Sequence, residues 1–174
     1  MSEAKDYAAE AGTPLERAKA YWLYNVNIIK HSDNKHFTAD LVSEYLTLEE
    51  ATVLTPTTAR LVAKLKVDSS YCNPLNSLHG GAHALIYDML TTTSLAPISR
   101  PGFWSYGGVS RTLTVTYLRP AAEGETIIVE CEVVHAGKRL AALKGVMKRE
   151  RDGALISTCE HDKVNNDPGD ISKI

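Results

Sequence analysis

Residues 82–96 read AHALIYDMLTTTSLA, a run that is apolar nearly all round and directly follows the pair Gly80–Gly81. A helix with no wet face has to be covered on every side. Pro97 and the Arg100-Pro101-Gly102 sequence stop it. Whatever else the chain forms must therefore wrap this segment, and the flanking sequence is strand-like rather than helical.

Two such runs precede it, TLEEATVL and ARLVAKLKV, separated by the turn-prone TPTT. In the second, Leu61, Ala63, Leu65 and Val67 alternate with Arg60, Lys64 and Lys66, the period-two pattern of a strand with one wet face. Four more follow: VSRTLTVTYL, ETIIVECEVVHA, RLAALKGVMKRE and ALISTCEHDKV. Gly137-Lys138 and Asp152-Gly153 are two-residue turns of the kind that join antiparallel neighbours. The last four strands are expected to form a meander. One apolar helix with a long antiparallel sheet beside it predicts an α+β fold in which the sheet curves around the helix.

Ahead of this, Thr13 reads as an N-cap, Pro14 as the first helical position and Glu16 as the third. A helix from there to about Ile29 would put Leu15, Ala18, Trp22 and Leu23 on or near one face. Residues 37–46 are ambiguous, with a short second helix as one reading. The expected division is an N-terminal helical extension over 1–44, the main domain over 45–164 and a flexible tail over 165–174.

Composition excludes several classes. At 174 residues with a formal net charge of -2, the chain has no basic excess to hold nucleic acid. Cys72, Cys131 and Cys159 are odd in number without CxxC spacing, which fits a reducing compartment better than a disulfide framework. No secretory h-region or 18-residue apolar span occurs, so an intracellular protein without a membrane span is expected. The final Ser172-Lys173-Ile174 is one residue away from the S-K-L import signal, so the expected location is cytoplasmic or peroxisomal.

One residue disturbs the picture. Asp88 lies inside the apolar run, where an unpaired charge costs several kcal/mol to bury. Either it points to water or its placement serves a purpose.

The chain from about residue 45 to 164 resembles the hotdog-fold acyl-CoA thioesterases, within the phenylacetate-pathway and 4-hydroxybenzoyl-CoA thioesterase-like superfamily. The resemblance rests on Asn73, the His79-Gly80-Gly81 triplet, Asp88 nine residues after that histidine, and Gly108-Val109-Ser110. Tyr117-Leu118-Arg119-Pro120 and the turn Gly137-Lys138-Arg139 add to it. It implies a curved sheet around one long central helix, homodimers or dimers of dimers, and active sites at the dimer interface. One departure is Asn76, where the family often has glycine. If that position needs φ > 0, asparagine is the next most tolerant residue.

The resemblance also implies roles. Gly80 and Gly81 at a helix N-terminus would offer backbone N–H groups to a thioester oxygen as it gains charge. Asp88, about 10–13 Å further along the same helix, cannot serve that carbonyl in its own subunit. The resemblance places it opposite the partner's glycines, as general base or as nucleophile. Asn73 would hydrogen-bond the carbonyl or water, and Ser110 would orient the water. His79 reads more readily as a cap than as a catalytic group. Gly108, Val109, Lys138 and Arg139 are candidate substrate contacts, the two cations toward the phosphates of coenzyme A, which enters only as part of the substrate. No metal or organic cofactor is implied: HGGAH lacks the glutamate of H-E-x-x-H.

The expected activity is acyl-CoA hydrolysis. Alternatives are a non-catalytic acyl-binding or specialised-metabolism protein on the same scaffold and, further off, a hydratase or dehydratase. The last uses a D-x4-H pair, and His79 has Pro74 at that offset. Pocket depth would depend on Ile86, Met89, Leu90 and the aromatic loop from Pro97 to Tyr106, which reads as a lid or as packing. The aromatic cluster Tyr21, Trp22 and Tyr24 could cover the pocket, join an interface or simply pack.

Overall fold

The computed structural model describes residues 12–31 and 45–167. Residues 37–44 of the ambiguous stretch and the terminal Ser172-Lys173-Ile174 lie outside them. Helix α1 spans Pro14–His31 and strands β1 and β2 span Leu46–Thr55 and Thr58–Lys66. The central helix α2 spans Gly80–Thr93, and four strands follow: β3 (Val109–Tyr117), β4 (Thr126–Ala136), β5 (Leu140–Arg149) and β6 (Leu155–Val164). No helix among the described residues is long and apolar enough to cross a membrane.

All six strands join one antiparallel sheet in the order β1-β2-β4-β5-β6-β3. The expected four-strand meander holds only for β4, β5 and β6. Strand β3 lies at the far edge beside β6, because residues 118–125 do not close a hairpin. Instead they cross the end of the sheet and brace the entrance to α2: Leu78 N–H donates to Ala121 O, Glu123 N–H to Asn76 O, and Gly124 N–H to Val67 O.

The sheet's inner face packs on α2. Leu61, Ala63, Leu65, Ile127, Val129 and Met147 surround Ile86, Tyr87 and Leu90 in one continuous core. Gly145 permits the close approach: a Cβ there would stand 2.6 Å from Tyr87 Cδ1 and 2.8 Å from Cys159 Sγ. Helix α1 joins the same core through Ala18, Trp22 and Val26, an i, i+4, i+8 stripe. Leu23, expected on that stripe, is 57% exposed, since its position one step round from Trp22 faces solvent. Thr13 and Glu16 form the predicted capping pair, with Thr13 N–H donating to Glu16 Oε2 at 2.7 Å.

The loop between α2 and β3 is anchored rather than free. Trp104 is fully buried against Ala59, Leu95, Val133 and Leu143, and its indole N–H donates to Gly137 O at 2.7 Å. Ser105 and Tyr106 N–H groups donate to the Asp167 carboxylate, and Asn165 Nδ2 donates to Lys138 O. Residues 165–167 are thus tied to the domain.

Central packing should make Gly145 intolerant of even one carbon. Gly145→Ala is expected to lower unfolding stability by about 1–3 kcal/mol through overpacking against Tyr87. Gly137→Ala, whose Cβ would meet Leu140 O at an ordinary 3.4 Å, should change it by about 0.5 kcal/mol or less. Urea unfolding of the two variants measures the contrast.

Candidate active site

The turn before α2 sets the geometry of its N-terminus. Asn76 takes φ 54°, the left-handed conformation that its asparagine was expected to tolerate. Asn73 builds the same turn, its Oδ1 accepting from Leu75 N–H at 2.9 Å and Ser77 N–H at 3.3 Å. That use of the carbonyl oxygen leaves its Nδ2 to donate elsewhere.

His79 is the N-cap of α2, and its Nδ1 accepts from Gly81 N–H at 2.9 Å. The capping role expected for His79 is therefore present, and it occupies one of the two glycine donors. Gly80 N–H has no acceptor among the described residues. Gly80 O accepts the Tyr117 hydroxyl at 2.9 Å, which fixes Tyr117 beside the first turn.

Along α2 the burial is uneven. His83, Ile86, Tyr87, Leu90 and Thr91 are buried, while Gly81 is exposed and Ala84, Leu85, Asp88 and Thr92 are half-exposed. The helix is central, but within one chain a stripe containing Asp88 stays open. Asp88 is not a free surface residue, however: Ser110 Oγ donates to its Oδ1 at 2.6 Å, and His161 Nε2 lies 3.5 Å from the same oxygen. Its Oδ2 has no partner among the described residues.

A proton count orients this cluster. Thr91 Oγ1 is 2.6 Å from Tyr87 O, which can only accept, so the hydroxyl donates there. Its 2.6 Å contact with His161 Nδ1 must then run from an Nδ1–H to the threonine. A neutral His161 accordingly turns its Nε2 lone pair to Ser110 Oγ, 3.0 Å away. The single Ser110 proton stands between the Asp88 carboxylate and the His161 imidazole.

Electrostatics agree with a neutral ring. Burial pushes the His161 pKa down to about 4; Lys163 acts in the same direction, and Asp88 and Asp162 oppose it. Lys163 itself is buried, its Nζ donating to Thr92 Oγ1 at 2.8 Å, and burial pushes it down to about 8 while Asp88 holds it up. His83 is likewise lowered to about 4 by burial, with Nδ1 3.0 Å from Ser157 Oγ.

The structure thus brings Asp88 and Ser110 together and adds His161, Thr91, Thr92 and Lys163, which the sequence reading did not name. A signal for them existed: Ser157, Cys159, His161 and Lys163 share one parity of β6, so a polar row faces the helix. The structure does not bring Asp88 to its own Gly80, eight residues or about 12 Å back along α2. Gly108 is structural: it has φ 65°, and a Cβ there would overlap Val164 O. Val109 opens the edge strand and is half-exposed; Lys138 and Arg139 are exposed in the β4–β5 turn, with no carboxylate partner among the described residues.

Chemically, the cluster holds a carboxylate in place with one oxygen free for water, while a separate unpaired N–H waits at a helix N-terminus. Comparisons with known proteins bear on what this serves. The family model described as "Thioesterase superfamily" matches residues 75–156. Acyl-coenzyme A thioesterase 13 of Mus musculus is 31% identical over 116 residues, covering 67% of this chain and 80% of that protein. The crystal structure of thioesterase superfamily member 2 from Mus musculus superposes with a TM-score of 0.62 at 30% identity, over 81% of this chain and 95% of the other. The zebra fish thioesterase superfamily member 2 gives 0.65 at 26% identity, over 82% and 96%.

Burial of two neutral histidines makes stability depend on pH. Their folded values of about 4 lie below the ordinary 6.5, so the unfolded chain binds more protons between those limits. The histidine contribution should be full above about pH 6.5 and fall as pH drops toward 4, by up to about 3 kcal/mol per histidine. Urea unfolding at intervals across this range should show the decline. A flat profile would mean that the folded rings take up protons as readily as the unfolded ones.

Proposed function

The chain belongs to the thioesterase superfamily, a hotdog-fold thioester hydrolase, and from that premise we propose that it hydrolyses an acyl-CoA to a carboxylic acid and free coenzyme A across a dimer interface. The observation that carries the mechanism is Asp88 on the open stripe of α2, tethered through Oδ1 to Ser110 with Oδ2 left free.

Gly80 N–H is the oxyanion donor in this reading, since His79 occupies Gly81 N–H. Held at the positive end of α2, it meets negative charge only as the carbonyl carbon becomes tetrahedral, so it favours the transition state over the substrate. Asn73 Nδ2 supplies a second donor to the same oxygen. Asp88 accepts a proton from water as the water attacks; the collapsing intermediate then expels the coenzyme A thiolate. Ser110 keeps the carboxylate aimed, and His161, packed with Nε2 3.0 Å from Ser110 Oγ, is a positioning residue. No metal or organic cofactor enters: a carboxylate, water and fixed donors suffice for the steps described.

Because Asp88 and Gly80 of one chain are too far apart, the donor comes from a second copy. Two features support that assembly. Strand β3 has one unpaired edge, which a second β3 can fill by antiparallel pairing. The open stripe of α2 lies beside it, so the same contact covers both. Lys138 and Arg139, exposed and without acidic partners among the described residues, are proposed to contact the phosphates of coenzyme A. A dimer of dimers is the further assembly proposed.

Thiol release from a panel of acyl-CoAs tests the reaction. Asp88→Asn should lower kcat by about 10²–10⁴-fold in a folded protein. Gly80→Pro replaces the N–H with a ring carbon while keeping the helix start, since proline is tolerated at the first helical position, and should lower kcat by at least about 10²–10³-fold. Mixed and re-formed dimers of the two variants should recover up to about a quarter of wild-type activity, since half the dimers carry one intact site. No recovery would place both groups in one subunit's site and overturn the shared arrangement. Absence of turnover on every acyl-CoA would favour an acyl-binding protein instead.

A further inference from the structure

Between α1 and α2 lies a cleft of about 170 Å³ with Asp88 in its wall. Tyr21, Trp22 and Asn25 line it from α1, and Met89, Thr92 and Thr93 line it from α2. Its size is of the order of the ~150 Å³ apolar cavity that admits one benzene ring.

Although several lining residues are polar by type, their polar atoms are largely spent within the protein. Thr92 Oγ1 donates to Asp88 O and accepts from Lys163; Thr93 Oγ1 donates to Met89 O at 2.8 Å; Asn25 Nδ2 donates to Tyr21 O at 2.8 Å. Apart from the Asp88 carboxylate at one wall, what remains is two aromatic rings, a thioether and threonine methyl groups, a lining suited to a flat apolar group.

The walls are held in place. Trp22 belongs to the main core. Tyr21 is fitted to the α2–β3 loop: its hydroxyl donates to Tyr106 O at 3.3 Å, and a Cβ at Gly107 would overlap it. Burial, with the nearby Asp88 charge adding to it, lifts the Tyr21 pKa to about 12, in line with a protonated phenol close to that carboxylate.

Asp88 therefore has two sides. One carboxylate oxygen is bound by Ser110 toward the edge strand, where the partner is proposed to bring the oxyanion donor. The other side borders the cleft. A thioester whose carbonyl sits at Asp88 and whose coenzyme A runs out along the interface must send its acyl group the opposite way.

We propose that the α1–α2 cleft receives the acyl group, and that Tyr21, Trp22 and Asn25 of the N-terminal helix set its size at a single aromatic ring, excluding long straight chains. This rests on Asp88 being the hydrolytic carboxylate.

The test compares kcat/KM for acetyl-, phenylacetyl- and decanoyl-CoA in the wild type, Asn25→Phe and Met89→Ala, each first checked for a cooperative thermal transition. The wild type should prefer phenylacetyl-CoA. Filling the cleft with Asn25→Phe should reduce the phenylacetyl-to-acetyl ratio at least tenfold, as one methylene in an apolar pocket already changes discrimination about 10–200-fold. Enlarging it with Met89→Ala should raise the decanoyl-to-phenylacetyl ratio. Ratios that neither variant moves, or a wild type that favours decanoyl-CoA, overturn the cleft assignment while the hydrolytic reading stands. No turnover of any substrate overturns both.

Discussion

Everything in this domain depends on a match of spacing between α2 and β6. Four residues of helix advance about 6 Å, and two residues of strand advance about 6.8 Å. Polar side chains on successive turns of the helix can therefore meet alternate residues of a strand that runs alongside. His83 and Tyr87 reach Ser157, Thr91 reaches His161 and Thr92 reaches Lys163. From His83 to Thr91 the helix covers about 12 Å, and from Ser157 to His161 the strand covers about 13.6 Å. The small excess is within the reach of a tyrosine or a histidine. Gly145, on the neighbouring strand, lets the helix come close enough for these bonds to form.

Such a seam is costly to leave half-made, because every unpaired polar atom in it would be desolvated without return. Pairing to backbone carbonyls, which can only accept, also specifies proton positions. Tyr87 donates to Ser157 O and Thr91 to Tyr87 O, so the direction of each later bond in the chain follows. At the open end the sequence of donors runs out at Ser110, whose single proton lies between imidazole and carboxylate. The arrangement aims Asp88 without burying it. A carboxylate so tethered stays in contact with water and takes its direction from the core, which resolves the conflict that an acid in an apolar helix presents.

Much of this was legible in the chain. The strand segments, the N-cap pair of α1 and the tolerance of Asn76 for positive φ follow from local chemistry; a motif at fixed spacing singled out Asp88 and Ser110, while their direct hydrogen bond emerged only in the fold. Local signals failed where the answer depended on which strands are neighbours. Residues 118–125 have the composition of a hairpin turn yet cross the sheet, since their backbone groups find partners at the entrance to α2. His161 and Lys163 are not legible as site residues for a related reason. Their parity on β6 is readable, but only the sheet order puts that strand between β5 and β3 and opposite Asp88. Trp104 shows a third limit: at φ 58° and fully buried, it holds a conformation that no propensity would assign to tryptophan, and packing in the second core overrides the cost.

The same sheet order sets the surface on which the proposed shared site depends. An edge strand must be paired, covered or charged if it is not to recruit other chains at random. β3 carries Arg111 near its start, but its remaining residues are hydroxyl-bearing or apolar, and Val109 and Tyr117 are about half exposed. An edge of that composition is guarded poorly by charge and well by a specific partner. With β3 at the edge, the open strand and the open stripe of α2 that carries Asp88 lie together. Covering β3 by an intramolecular strand would shield the edge and close Asp88 off from any donor outside its own chain. The open edge of β3 and the open side of Asp88 therefore share one cause in the sheet order, and the symmetric contact proposed above would cover both.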